Sequence, residues 1–596
     1  MPLGLGALTT APPQGPSHVP RRRVPPAGSA AQGEVGAHGD LRLTASEGNA
    51  SIAYEAHPAT PSTRGIVILS DIRGLHEHYE QLAEPVAAAG FHAVALDYFG
   101  RTAERASPVV ARWGPFRHRT RKWDATGVGQ MRVFAAVPTA RAAAQTPPDR
   151  DRVVDGARAA ALLVVVVGHV VMAVVAWPDG VPVLGNLLAA YPWTQALTWI
   201  MQIMPLFFFA GGAANALSYD RHHARGGDYA SWLWGRGRRL LRPVWVYLAV
   251  MAVIATVVTL LAPAKTAEPL MMLTTQLLWF LGAYLLVTAL APLLRGTSRR
   301  GGVLGLLLLL GLVAVIDLAR FALGLPEAIA LFNFVLAWAV PAYLGALRAR
   351  GTLGRYRWPV LVAAVALAFT ANAVLIRYGP YPVSMVGMPG EPVSNMAPPT
   401  LVLAIHSVVL AVVVTLLDAP LRRLLARPRV WRPVTGVNLV AMTLYLWHLP
   451  VLITVFTLTH ALHLDRPVTM GADGYPVPAG WGYLLGSVVF IAAYVVGVWA
   501  VVRLLWPLEH APLVWWDAPL RGRRPSPRAA AVVACVATLL IGISTLVISA
   551  TGLGGFPTRT IEYAGLPLNA AAAIAVLLAA GAALRWAGGD RVHEQV

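Results

Sequence analysis

The chain has 596 residues, of which 56% are hydrophobic and only 13% charged, with a mean hydropathy of +0.57. A soluble domain is typically about 25% charged, so lipid rather than water solvates most of this chain, and a string of about four soluble domains is excluded. Lys+Arg 48 less Asp+Glu 29 gives +19, a charge that would suit nucleic acid unless its placement follows membrane topology instead.

Residues 1–40 are rich in Pro and Gly without apolar periodicity and are expected to form a disordered tail. Residues 41–105 have the composition of a soluble α/β fragment. Gly65 to Ser70 is a buried-strand run, Glu77 to Ala89 has helical spacing and Phe91 to Leu96 is a second strand, together a βαβ unit. Residues 106–149 carry Arg117, Arg119, Arg121 and Lys122 and close on Pro147-Pro148, which predicts a basic linker.

Beyond residue 150, apolar runs of bilayer-spanning length recur near 160–177, 198–219, 243–262, 273–292, 302–319, 329–347, 358–376, 399–417, 439–460, 481–505, 529–550 and 567–586. Their unalternating Leu, Val and Ala favour helices over barrel strands, because lipid-exposed backbone must be paired within its own segment. The predicted fold is an all-α polytopic membrane protein behind a small α/β N-terminal fragment. About ten core helices lie in 150–510, and a cytoplasmic loop and two further helices in 511–596.

Arginine crowds alternate connections (Arg221–Arg242, Arg295–Arg300, Arg348–Arg357, Arg422–Arg432, Arg521–Arg528), whereas the others hold only Lys265, Arg320, Arg377, Arg466 and Arg559. By the positive-inside rule the rich set is cytoplasmic, with both termini, in a multi-pass protein of the cell inner (plasma) membrane. The charge thus reports topology, and no nucleic-acid partner is expected. The single cysteine, Cys535, sits in an apolar run and excludes a disulfide framework or thiolate metal cluster. No metal site is expected.

Arg158 and His169 are eleven residues apart, about three helical turns, so they share a face roughly 16 Å apart along the axis. Such a pair suits a long anionic substrate, with phosphate on the guanidinium and the reactive end, for example a thioester on a pantetheine arm, at the imidazole. The competing reading is an interfacial arginine plus a histidine satisfied by a neighbouring helix. Arg239 and Arg242, at i and i+3 near a helix start, suit phosphate or mere topological charge. Asp155 either fixes Arg158 or caps its helix. His448 beside Trp447 lies mid-span, and serves function or helix packing. Asn395, in the Gly- and Pro-rich connection 377–400, is the candidate acceptor-side polar group, against a plain structured loop. His406 and Asp317 carry no assignment.

Four motifs in order (Arg150-Asp-Arg-Val-Val-Asp155-Gly-Ala-Arg158 to Gly168-His169; Met204-Pro-Leu-Phe-Phe-Phe-Ala-Gly-Gly-Ala-Ala-Asn215; Arg239-Leu-Leu-Arg242-Pro243; Met442-Thr-Leu-Tyr-Leu-Trp-His448) resemble the acyltransferase-3 family of integral membrane acyltransferases, of an actinobacterial many-spanning type, over about 150–510. The resemblance implies O-acylation: transfer from cytoplasmic acyl-CoA, a co-substrate with no further cofactor, to a hydroxyl of an extracytoplasmic or membrane-associated glycan, lipid or small metabolite. It implies His169 as general base or transient acyl carrier, with Arg158, Arg239 and Arg242 on the donor phosphates. The alternative from another class is a transporter or flippase with His169 as proton relay. Within 41–105, Val67-Ile-Leu-Ser-Asp71-Ile-Arg-Gly74 and Leu96-Asp-Tyr-Phe-Gly-Arg101 resemble the opening of dienelactone hydrolases, of the α/β-hydrolase superfamily. The sequence has no G-x-S-x-G or G-x-C-x-G elbow, so a truncated, non-catalytic fragment is expected there.

Overall fold

A computed structural model describes strands and a helix between residues 35 and 96, a short helix at 139–144 with residues 146–147, and 150–590 apart from 389, 390, 392, 521, 524, 564 and 565. Most of the expected tail and basic linker lies outside the described residues. The chain divides into two compact units, 1–130 and 131–596.

In the first unit, β1 (Val35–Thr44), β2 (Ala50–Pro58), β3 (Gly65–Leu69) and β4 (His92–Leu96) form one sheet in the order β1-β2-β4-β3. Strands β3 and β4 are parallel and joined through α1 (Glu77–Ala88), the βαβ unit expected from the sequence. Strands β1–β2 and β2–β4 are antiparallel. Ala83 and Ala87, four apart on one face of α1, are buried with Tyr54, Ala56, Ala93 and Ala95 of the sheet. The expected boundary of the tail at residue 40 needs correction, because β1 already begins at Val35. Gly36 and Gly39 interrupt the apolar pattern there, and pairing with β2 rather than periodicity makes it a strand.

Among the described residues, the second unit holds eleven helical passages long and apolar enough to cross a membrane, and a twelfth if one bent pair counts as a passage. In order they are α2 (Arg152–Met172), α3 (Met204–Ala224), α4 (Tyr229–Leu261), α5 with α6 (Ala264–Thr275, Leu278–Ala289), α7 (Ala291–Phe321) and α8 (Asn333–Ala349). There follow α9 (Trp358–Tyr378), α10 (Leu401–Leu416) bent by 61° from α11 (Asp418–Ala426), α12 (Pro428–Leu439), which is not a passage, and α13 (Ala441–Ala461). The last are α14 (Gly480–His510), the short α15 (Val514–Asp517), α16 (Pro527–Thr551) and α17 (Ala570–Gly588). Every predicted span is matched.

Burial separates inner from outer helices. α8 is buried along most of its length, whereas α9 buries only Leu361, Ala368 and Asn372, a single stripe at i, i+7 and i+11, and leaves its other faces to lipid. Two glycines set the closest approach in the core: a Cβ on Gly212 of α3 would overlap the carbonyl of Ala342, and one on Gly345 of α8 the carbonyl of Phe209. Small residues let helix backbones touch where lipid supplies no hydrophobic drive for association. Helix α7 breaks at Gly302 (φ 48°), whose carbonyl accepts from the Tyr343 hydroxyl at 2.8 Å.

Ion pairs join the arginine-rich ends. Arg348, at the end of α8, meets Asp151 at 3.1 Å and Asp418 at 2.5 Å, and Arg422 reaches Asp418 at 2.6 Å. At the opposite ends, hairpins β5–β6 (Ala173–Ala176, Val183–Asn186) and β7–β8 (Val468–Met470, Pro476–Pro478) lie against each other. Arg466, 8% exposed among the rings of Phe456, Tyr483 and Phe490, donates to the Ala173 carbonyl at 3.0 Å.

Candidate active site

Helix α2 begins at Asp151, whose carboxylate accepts from the amides of Val153 and Val154. Charged Arg152, Asp155 and Arg158 therefore fall in its first two turns, and the helix starts eight residues before the predicted span at 160. Asp155 neither caps the helix nor holds Arg158: Arg150 grips it with Nε at 2.5 Å and a second nitrogen at 3.1 Å. A residue five positions upstream, folded back from the turn preceding the helix, outcompetes Arg158 on the same helix.

Three turns further on, His169 Nδ1 lies 3.0 Å from His448 Nε2 of α13. The two histidines of separate motifs, 279 residues apart, are thus one unit. His448 is 1% exposed, and its Nδ1 faces the carbonyls of Tyr445 at 2.8 Å and Leu444 at 3.1 Å. Carbonyls only accept, so Nδ1 of His448 carries the proton, and in the neutral ring Nε2 is a lone pair. His169 Nδ1 is then the donor across the 3.0 Å contact, which leaves His169 Nε2 with a lone pair on a half-buried ring.

The rest of the Met442–His448 motif holds His448 in place. Thr443 and Trp447 both donate to the carboxylate of Glu509 on α14, the latter at 2.8 Å, and Glu509 is 1% exposed. The Tyr445 hydroxyl donates to the Leu277 carbonyl at 2.6 Å. Polar residues of α13 therefore dock three neighbouring passages. The sequence reading missed Glu509, although a carboxylate near the end of an apolar span is itself a signal.

The arginines divide into two groups. Arg242 and Arg238 share the carboxylate of Asp517, Arg238 at 2.8 Å. Burial pushes the Asp517 carboxyl up, but hydrogen bonds from Arg238, the Leu513 amide and Arg242 outweigh this and hold it below its ordinary range. Arg239 is exposed, and among the described residues neither it nor Arg158 has a hydrogen-bond or ion-pair partner. Both lie near Arg236, which is anchored to Ser218 and the Ala214 carbonyl. The expected Arg239–Arg242 pair therefore parts: Arg239 joins Arg158 and Arg236 in an uncompensated cationic cluster, and Arg242 is tied to Asp517.

Asn395 is 0% exposed, and its side chain is spent inside the connection between α9 and α10. Its amide donates to the carbonyls of Pro382 at 2.8 Å and Ser384 at 2.9 Å, and its oxygen accepts from Thr400 at 2.7 Å. Asp317 pins the same connection, accepting from Tyr381 at 3.0 Å, the Leu401 amide at 2.8 Å and Asn333 at 2.9 Å. Among the described residues, Asn372 of α9 is buried without a hydrogen bond, and buried His406 of α10, edge-on to the Trp199 ring and near the Trp199 backbone, makes no well-formed one.

Residues 52–161 are similar to the dienelactone hydrolase family, a match that runs beyond the predicted limit of 105 into α2. No curated protein and no solved structure matches the chain. The family described as an acyltransferase domain, acyltransferase-3, matches residues 151–503, more than half of the chain. That segment carries both histidines and the whole cationic cluster, and the chain belongs to this family: it is a multi-pass membrane acyltransferase.

Proposed function

We propose that the protein transfers an acyl group from a coenzyme A thioester to a hydroxyl of a glycan, lipid or small metabolite that is extracytoplasmic or membrane-associated. The observation that carries this reading is the His169–His448 contact at 3.0 Å, on the same helix as Arg158. Arg158, Arg236 and Arg239 take the nucleotide phosphates, where paired guanidinium forks outperform point charges. The thioester end reaches His169 about three turns into the bundle.

There His169 Nε2 accepts the proton of the acceptor hydroxyl as its oxygen attacks the thioester carbonyl. The C–S bond breaks, and the departing sulfur takes that proton from the imidazolium, so free thiol and ester are formed and His169 returns neutral. His448 positions the ring and stabilises the imidazolium through the same hydrogen bond. Arg242, already compensated by Asp517, positions the helix that carries Arg239. Asn395 shapes the connection facing the acceptor side. The arginine-rich ends and both termini lie in the cytoplasm of an inner-membrane protein, by the positive-inside rule.

Membranes containing the protein, supplied with labelled acyl-CoA, should yield labelled ester in extracted glycan, lipid or small-metabolite fractions. A proton-coupled transport activity with no ester formed would favour the proton-relay reading and overturn this one.

A further inference from the structure

The N-terminal sheet presents a second cluster of chemistry-bearing side chains, unrelated to the acyl-transfer site. Alternation along β2 puts Tyr54 and Ala56 on the face buried against α1, and Glu55 and His57 on the other. The β2–β4 register pairs Glu55 with Val94 and Ala56 with Ala93, so one further step sets His57 opposite His92. Three side chains thereby converge: the rings of His57 and His92 stack with centroids 4.1 Å apart, and Glu55 lies diagonal to His92.

Glu55 Oε2 is 3.4 Å from His57 Nε2 and 3.6 Å from His92 Nε2, and the three ligand atoms lie within 4.8 Å of one another. In a tetrahedral site with bonds of about 2.0–2.2 Å, ligand atoms sit about 3.4 Å apart. The two nitrogen-to-oxygen edges already have that length, which is too long for a hydrogen bond of ordinary strength. Among the described residues, His92 Nε2 is sealed from solvent and makes no hydrogen bond. A shared cation satisfies it, as it does the other two atoms.

We propose that Glu55, His57 and His92 form a three-ligand site for a divalent transition-metal ion of the zinc type. Two imidazoles and one carboxylate are the donor set that such ions take, with a remaining position for water. Because the ligands come from adjacent strands, the ion clamps β2 to β4 across a sheet whose buried core is mostly alanine. This site was not legible in the sequence, where His57 and His92 are separated by a helix and only the strand register brings them together.

The test uses the full-length protein in detergent, stripped with chelator and titrated with Co2+. One equivalent should produce ligand-field absorption of a four- or five-coordinate site, and Zn2+ should displace it. His57→Ala, His92→Ala and Glu55→Gln should each weaken binding by more than about 100-fold, since loss of even an outer-shell partner costs 10–100-fold. His460→Ala, in the membrane unit, should leave it unchanged. Wild-type protein offers a measurement free of variant misfolding: Zn2+ should shield His57 and His92, but not His38, from diethyl pyrocarbonate, as read by peptide mass spectrometry. Absence of stoichiometric Co2+ binding, binding that survives both histidine variants, or unshielded His57 and His92 would overturn the proposal.

Discussion

Among the described residues, the bundle buries imidazoles in two places, at α2/α13 and in α10, and the rings are hydrogen-bonded very differently. At the first, His448 has a partner for each ring nitrogen, and the chain of bonds from the Tyr445 carbonyl through His448 to His169 selects one tautomer at each ring. At the second, among the described residues, His406 is 1% exposed beside Trp199 with no well-formed hydrogen bond to either nitrogen, and Asn372 on the adjoining helix α9 is 0% exposed with its whole amide unpaired. Burial is common to both places. Only at the first does the surrounding network prepare a lone pair for chemistry; at the second it leaves polar groups whose desolvation goes uncompensated.

Removing the prepared base breaks this contrast most severely. His169→Ala should lower kcat for transfer by roughly 10²–10⁴-fold, the usual contribution of a general base, in protein that still inserts and keeps its melting temperature. Near wild-type turnover would move the chemistry elsewhere. His448→Leu should cost on the order of 10²-fold in kcat with little change in KM, because the tautomer of His169 is no longer fixed. His448→Gln should recover much of that loss, since an amide oxygen can still accept from His169 Nδ1. Equal losses in the two variants would mean that His448 merely fills space.

Charge at the arginine end comes next. Arg158→Ala and Arg239→Ala should each raise KM for acyl-CoA by roughly 10–100-fold, the worth of a charge-assisted hydrogen bond, while leaving short pantetheine thioesters unaffected. Arg242→Ala should act mainly on stability and affect both donors alike. At the unpaired site, His406→Leu or Asn372→Leu should stabilise the detergent-solubilised protein by about 1–3 kcal/mol, because an apolar side chain removes an unsatisfied group. Loss of transfer in either variant would show that these groups meet substrate. The smallest effect is pH-dependent. The Asp517 carboxyl titrates lower in the folded than in the unfolded chain, so its stabilisation is full above its unfolded pKa, about 3.9, and is lost as pH falls through the lower native value. Thermal melts of wild type and Asp517→Asn should converge in that acid range.

The passages were legible because span length and apolar runs are local properties of the sequence. Where the limits shifted, as at α2, charged residues in the first turns had been counted against the bilayer although they belong to a capped end. Partnerships were legible only as alternatives. Nothing near Asp155 distinguishes Arg150 from Arg158 until the backward turn is formed, and nothing near His448 names His169 at 279 residues' distance. Asn395 looked available because amides in Gly- and Pro-rich loops usually are, but the fold spends it on the loop itself. Glu509 escaped because it lies beyond the recognised motifs, although the motif residues Thr443 and Trp447 bind it.

The close approach of α3 to α8 bears on all of this from a distance. With Gly212 against the carbonyl of Ala342 and Gly345 against that of Phe209, neither helix can slide or rotate on the other without collision. Helix α3 carries the Ala214 carbonyl and Ser218 that anchor Arg236, and it also packs against α2, which holds His169. The span between the cationic cluster and the imidazole is therefore gauged by two missing methyl groups. Restoring either as alanine would change the length of donor arm that fits, without touching a single residue that meets the donor.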